Sequence, residues 1–337
     1  MHPEKKSLLQ RLITLPGDLK NPEARSEAVR LLICLLCILV LISGSIYTVV
    51  WMENRSRILK ESERYSQMYT PADPTASPEI TAAPEATAAP TPGPTAIPTS
   101  APTEAPLPQV ADVPIASPDG GTLIYGLPTP PPVQESFAEL LATNPETIGF
   151  LEVGSIISLP VVQRENDNEY YLTHTFMQEK SPEGALFLDG LNRLVPEDDC
   201  LLIYGHNMNN GTMFGNLRMY LNIDYVRSSR PITFDTLYEN RTYVPFAAFN
   251  ASMDPDSADY FDVRQFIFDD QGFELFTLKL QMRSEHDIPV NVRPGDKLLL
   301  LITCDYGEDD GRFILALRAL RDGETTDSMA SKLAQAK

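Results

Sequence analysis

The residues LLICLLCILVLISGSIYTVVW, Leu31 to Trp51, carry no charged side chain over 21 positions. A helix rises ~1.5 Å per residue, so such a run reaches across a hydrocarbon core of ~30 Å. It predicts one membrane span with Tyr47 and Trp51 near an interface, and it divides the chain into a short N-terminal part and a long remainder. The run is too long and lies too far from Met1 for a cleaved signal peptide. Six Lys/Arg lie in residues 1–30 against four in residues 52–64. Positive charge accumulates on the cytoplasmic side, so the expected topology is single-pass with the N-terminus inside and the rest outside the cell membrane.

Composition shifts again after the span. Seventeen of the 29 prolines fall between Pro71 and Pro132, among threonine and alanine. A stretch like this buries no core and favours extended polyproline II at ~3.1 Å per residue. Residues 52–133 are therefore read as a juxtamembrane segment followed by a disordered Pro-rich extracellular linker, a stalk of up to roughly 190 Å at that rise. From residue 134 to 322 the chain becomes globular. ESFAELLAT reads as a leading helix. The short apolar runs IGFLEV, SLPVVQ, GALFLD, CLLIYG, TYVPFAAF, KLLLLITC and RFILALRAL read as strands. Many brief strands between turn residues predict a mostly-β, closed or nearly closed domain. Asp269 to Arg283, DDQGFELFTLKLQMR, has helical spacing instead and predicts an inserted helix. Residues 323–337 are polar and are read as a tail.

The net charge of −19 argues against nucleic acid, whose phosphates it would repel. Four scattered cysteines, with no accompanying histidine cluster, suggest neither a disulfide scaffold nor a metal site, and no cofactor is expected. Chemistry then falls to thiol and imidazole. A cysteine nucleophile needs a base or a low thiol pKa, and a group for the developing oxyanion. Outside the span, Cys200 and Cys304 are the candidate nucleophiles, and His174, His206 and His286 the candidate bases. His206 lies just past the strand CLLIYG in a Gly/Asn-rich loop, and Cys304 ends the strand LLLLITC. If those two strands are neighbours, thiol and imidazole share a rim. Cys200, at the far end of its strand, is read as an inert buried thiol. Arg312 opens the strand after the acidic loop DYGEDDG and could return beside Cys304, where a guanidinium can bind an oxyanion. His174 and His286 are read as solvated surface residues.

In this order YGHN, TC and an arginine eight residues on form a His–Cys–Arg signature, and the chain resembles the sortases, specifically class B. IGFLEVGSIISLPVVQRENDNEYYLTHTF, GALFLDGLN and MFGNL extend the resemblance over about residues 134–322, and the insertion at Asp269–Arg283 matches class B. The resemblance implies a sortase-type β-barrel with flanking helices and a cysteine transpeptidase. Cys304 would be the nucleophile, His206 the general acid/base and Arg312 the oxyanion group. Asn168, Leu172, Ile302, Thr303 and Asp305 would contact substrate; Ile302 departs from the small hydroxyl residue common there. Partners implied are exported proteins with a C-terminal sorting signal, and an amine of a peptidoglycan precursor or a pilin as acceptor. A wall-associated cysteine peptidase and an inactive stalked binding module are the alternatives.

Overall fold

A computed structural model describes residues 22–69, 129–304 and 311–337; the Pro-rich linker and Asp305 lie outside the described residues. The chain divides into two compact units, Met1–Glu61 and Ser62–Lys337. Helix α1 (Pro22–Met68) runs from the first into the second.

In the first unit, the helix is long and apolar enough to cross a membrane. Leu32, Ile33, Leu36, Leu39, Leu41 and Ile46 are exposed. The serine and threonine hydroxyls in the run bond to their own helix. Ser43 donates to the Val40 carbonyl, Ser45 to Leu41 and Thr48 to Gly44, at 2.7–3.0 Å. Back-bonding of this kind pairs these three hydroxyls without water.

The second unit is a closed eight-stranded barrel in the order β1-β2-β3-β4-β7-β8-β6-β5. The strands are β1 (Thr147–Val153), β2 (Ile157–Val162), β3 (Leu186–Leu188), β4 (Cys200–Gly205), β5 (Ile232–Thr236), β6 (Thr242–Ser252), β7 (Leu298–Cys304) and β8 (Gly311–Ala319). Neighbours are antiparallel except β2 with β3 and β4 with β7, which run parallel. β7 explains its own position: Leu298, Leu299, Leu300 and Leu301 are fully buried, and a strand apolar at successive positions must be covered on both faces. β6 carries Pro245, which cannot donate to a ladder, and the register with β8 shifts there, between Pro245 and Ala247. The expected closed, mostly-β barrel is what the chain forms. β5, which the sequence reading did not include, completes the closure by pairing with β1 and β6.

Helices cover the barrel. A 3₁₀ turn (Glu135–Phe137) and α2 (Ala138–Thr143) lead in, burying Phe137 and Leu140, and α3 (Ile223–Ser228) follows the histidine loop. The inserted helix is α4 (Asp270–Arg283). The Asp269 side chain caps it by accepting from the Gly272 N–H, and Phe273, Phe276, Thr277 and Leu280 form its buried stripe. The segment read as a polar tail forms α5 (Thr326–Leu333), with a Thr325/Ser328 capping box and with Met329 and Leu333 buried. Four-residue spacing of two apolar side chains in a polar context suffices for a helix that docks.

α5 is preceded by a buried ion pair. Arg318, with no exposed surface, donates to Glu324 Oε2 at 2.5 Å and Oε1 at 2.8 Å, and also to the Asn291 and Ala319 carbonyls. The Arg318 hydrogen bond holds the Glu324 carboxyl down from 4.5 to about 2. A depressed carboxyl pKa stabilises the fold fully above its unfolded value, and that contribution is lost as pH falls through the folded one. Glu324→Gln is expected to cost ~3–5 kcal/mol at neutral pH, because it strands a buried guanidinium. Urea unfolding at neutral pH should show that loss. A pH series should show a shallower stability loss between pH 4.5 and about 2 than in the parent.

Candidate active site

Strand pairing assembles the site. β4 and β7 run in parallel register, with Tyr204 beside Ile302 and Gly205 beside Thr303. His206 follows Gly205 and Cys304 follows Thr303, so both positions leave the sheet at the same end. β8 returns antiparallel to β7 with Arg312 directly opposite Cys304. Residues separated by about a hundred positions thus reach one rim through two neighbouring ladders. Gly205 suits this crowded turn, because a Cβ there would lie 2.5 Å from Leu186 Cδ2 and 2.9 Å from Phe214 Cδ2.

The half-buried His206 ring is oriented by backbone. Its Nε2 lies 2.7 Å from the Leu172 carbonyl oxygen. A carbonyl only accepts, so Nε2 is the donor in this hydrogen bond. The His206 carbonyl accepts from the Phe214 N–H at 2.9 Å, closing the loop behind the ring. Leu172 ends a 3₁₀ turn (Tyr170–Leu172). Tyr171 points into the core and donates to Glu146 Oε2 at 2.5 Å. Gly184 lies beneath the turn at φ +60°, and a Cβ there would sit 2.3 Å from the Tyr171 carbonyl oxygen and 3.0 Å from that of Leu172. Gly184→Ala is therefore expected to destabilise the fold by ~1–2 kcal/mol from the left-handed backbone alone. It should also displace the carbonyl that seats His206. Turnover per folded enzyme should fall, with the His206 ring resonances displaced in NMR spectra of the folded variant.

A second node ties this loop to β4. Asp189, with no exposed surface, accepts from Tyr204 Oη at 3.0 Å, Arg264 Nη2 at 3.0 Å, Asn168 Nδ2 at 3.1 Å and the Leu191 N–H two residues on at 3.0 Å. Burial, followed by the Asp189 carboxylate, raises the Tyr204 hydroxyl above its usual range. Tyr204 lies two residues before His206, so one carboxylate links the histidine-bearing strand to the loop that carries Leu172. Sequence reasoning missed Asp189, Tyr204 and Arg264. The available signal was an aspartate closing the apolar run GALFLD, where burial forces it to find donors.

The other expected residues are distributed as follows. Asn168 uses both ends of its amide internally, donating to Asp189 and accepting from the Gly190 N–H at 2.7 Å. Ile302 and Thr303 are buried, and the Thr303 hydroxyl has no hydrogen-bond partner among the described residues. Arg312 is half-buried; its Nη1 donates to the Gly311 carbonyl at 2.8 Å, and it forms no ion pair among the described residues. Cys200 sits at the other end of β4, opposite Leu298, and burial pushes its thiol well up. His174 and His286 are less solvated than expected. His174 stacks on Tyr170 at 4.0 Å, with the Arg164 guanidinium 3.5 Å from the Tyr170 ring centre. His286 Nε2 lies 3.0 Å from the Leu221 carbonyl. Among the described residues no cluster of His, Cys, Asp or Glu could hold a metal ion.

Known proteins share this arrangement of strands. A crystal structure of a Bacillus anthracis protein described as similar to sortase B matches with a TM-score of 0.51 at 27% identity, over 58% of this chain and 86% of that one. The crystal structure of Staphylococcus aureus sortase B matches with a TM-score of 0.51 at 25% identity, over 56% of this chain and 89% of that one. The barrel has the sortase fold. In sequence, a sortase B of Listeria monocytogenes is 28% identical over 186 residues, 54% of this chain and 73% of the relative. A sortase B of Staphylococcus aureus is 26% identical over 192 residues, 56% of this chain and 76% of the relative. No protein-family model matches the chain. The similarity to sortase B thus covers about half the chain.

Proposed function

We propose that the protein is a membrane-anchored, class B sortase-type cysteine transpeptidase. The observation that carries this reading is the register of β4, β7 and β8, which brings the positions of His206, Cys304 and Arg312 to one end of the sheet. The Cys304 thiolate attacks the threonine carbonyl of a sorting motif near the C-terminus of an exported protein. The tetrahedral oxyanion is held by the Arg312 guanidinium. His206 gives a proton to the departing amine, the peptide C–N bond breaks, and a thioester to Cys304 remains. An amine of a peptidoglycan precursor or a pilin then attacks that thioester, forming the new amide and returning the thiol. Of the substrate-side residues, Leu172 and Asn168 act through the loop that seats His206, while Ile302, Thr303 and Asp305 flank the thiol in sequence. α4 precedes the final strand pair, in the position of the class B insertion. The apolar part of α1 serves as the anchor, with the N-terminus cytoplasmic and the barrel outside.

The test is to incubate the enzyme with peptides carrying candidate sorting motifs, with and without an amine acceptor, and to follow both enzyme and peptide masses. The expected result is an acyl adduct on Cys304 and an acceptor-dependent ligated product. Cleavage to the free acid at a rate that added amines do not change would replace this reading with that of a peptidase.

A further inference from the structure

The Pro-rich stretch begins and ends on the same patch of the barrel. On its N-terminal side, Ser62–Tyr69 belongs to the barrel's own compact unit. Tyr65, Met68 and Tyr69 are at most 9% exposed and join the hydrophobic core. Ser62 Oγ donates to the Ser158 carbonyl at 2.8 Å. The Tyr65 ring meets Phe176 edge-on at 5.0 Å. Tyr69 stacks on Phe150 of β1 at 4.5 Å, and its hydroxyl donates to Asp235 Oδ2 of β5 at 2.6 Å. On the C-terminal side, Gln134 donates from its backbone to the Leu237 carbonyl and from its side chain to the Thr236 carbonyl, both at 2.8 Å. The two ends therefore sit on consecutive residues of one strand end: Tyr69 on Asp235, and Gln134 on Thr236 and Leu237. They also touch one another, since Phe137, three residues after Gln134, packs its ring 5.0 Å from that of Tyr69.

We infer that Ser62–Tyr69 is a strap that fastens the barrel to the chain leaving the apolar span, and that the Pro-rich stretch is an excursion bridging two adjacent points rather than a spacer. A spacer works by separating what it joins, and this one joins neighbours. The chain between the apolar run and the strap is Met52–Glu61, ten residues. Even fully extended, ten residues reach only ~35 Å. With the strap seated, those ten residues and not the Pro-rich stretch are the tether between the apolar run and the barrel. The buried tyrosine hydroxyl on a carboxylate favours a built seat, because without it Asp235 keeps only the Arg241 N–H, at 3.1 Å on Oδ1, and its Oδ2 loses the Tyr69 hydroxyl. The consequence for catalysis rests on the membrane-anchored reading proposed above; the strap does not.

The experiment uses the full chain in vesicles, with a specific protease site inserted near Ala101. After complete cleavage only the strap can hold the barrel. The expected result is that the barrel sediments with the vesicles, while Tyr69→Ala increases its release at least about tenfold, as expected for loss of a buried ring. Tyr69→Phe, which keeps the stacking and loses only the hydroxyl, should fall between the two. Release of the cleaved wild-type barrel into the supernatant would overturn the inference. Undiminished retention of Tyr69→Ala would also overturn it, because something other than this seat would then hold the barrel. Sorting-peptide turnover measured on the same samples separates the two proposals: an inactive but retained barrel sinks the transpeptidase reading alone, and an active but released one sinks the strap alone.

Discussion

Cys304→Ala is expected to abolish the acyl-enzyme and to lower turnover by more than about 10⁴-fold, the scale seen when a covalent nucleophile is removed. No other described side chain can replace it. Cys200 is buried at the opposite end of β4, with its thiol pushed well up by desolvation, so it supplies neither access nor thiolate. Alanine keeps the backbone pairing of position 304 with Arg312, because that pairing uses main-chain groups. The variant should therefore melt close to the parent, and the loss can be assigned to chemistry. Mass spectrometry after incubation with a sorting peptide reads the adduct directly. An adduct of unchanged yield on the alanine variant would end the assignment.

Arg312→Lys is expected to reduce turnover by ~10²-fold or more, the usual effect of removing one oxyanion donor. Lysine keeps the charge, so long-range attraction is preserved while the planar fork is lost. In the structure one arm of that fork is already committed: Nη1 donates to the Gly311 carbonyl at 2.8 Å, which fixes the plane of the guanidinium. An ammonium of similar reach can make that bond or serve the oxyanion, and it has no rigid geometry for doing both. Single-turnover acylation should carry the defect, with thermal stability little altered. An unchanged acylation rate would remove Arg312 from the transition state.

Much of the barrel was legible because its strands are short apolar runs between turn residues. β4 and β7 could be read almost to the residue from CLLIYG and LLLLITC. Their adjacency was not legible and entered only as a condition, since parallel partners separated by a long excursion leave no local mark on the sequence. Strand-end context favoured His206 and Cys304 as candidates and the resemblance added Arg312 to the set, but the support beneath these positions was not legible. Asp189 looks like an ordinary turn residue until Tyr204, Arg264 and Asn168 are seen to converge on it. NEYYL carries no local mark of the 3₁₀ turn that delivers the Leu172 carbonyl to His206. RYSQMY, the end of α1, looks solvated because its apolar content lies in two tyrosines and a methionine. Its burial depends on Phe137, Phe150 and Phe176, which are distant in sequence.

Because β4 and β7 are parallel, the chain must leave the rim after His206 and travel back to the far end of the sheet before it can arrive at Cys304. The helices on that return path, α3 and α4, lie outside the ladder of β4 with β7, so they can change length or surface while that ladder keeps the register that places His206 and Cys304 at one end. For the transpeptidase proposed above, the detour is thus the part of the barrel unit that can diverge while the pairing beneath the candidate site is kept.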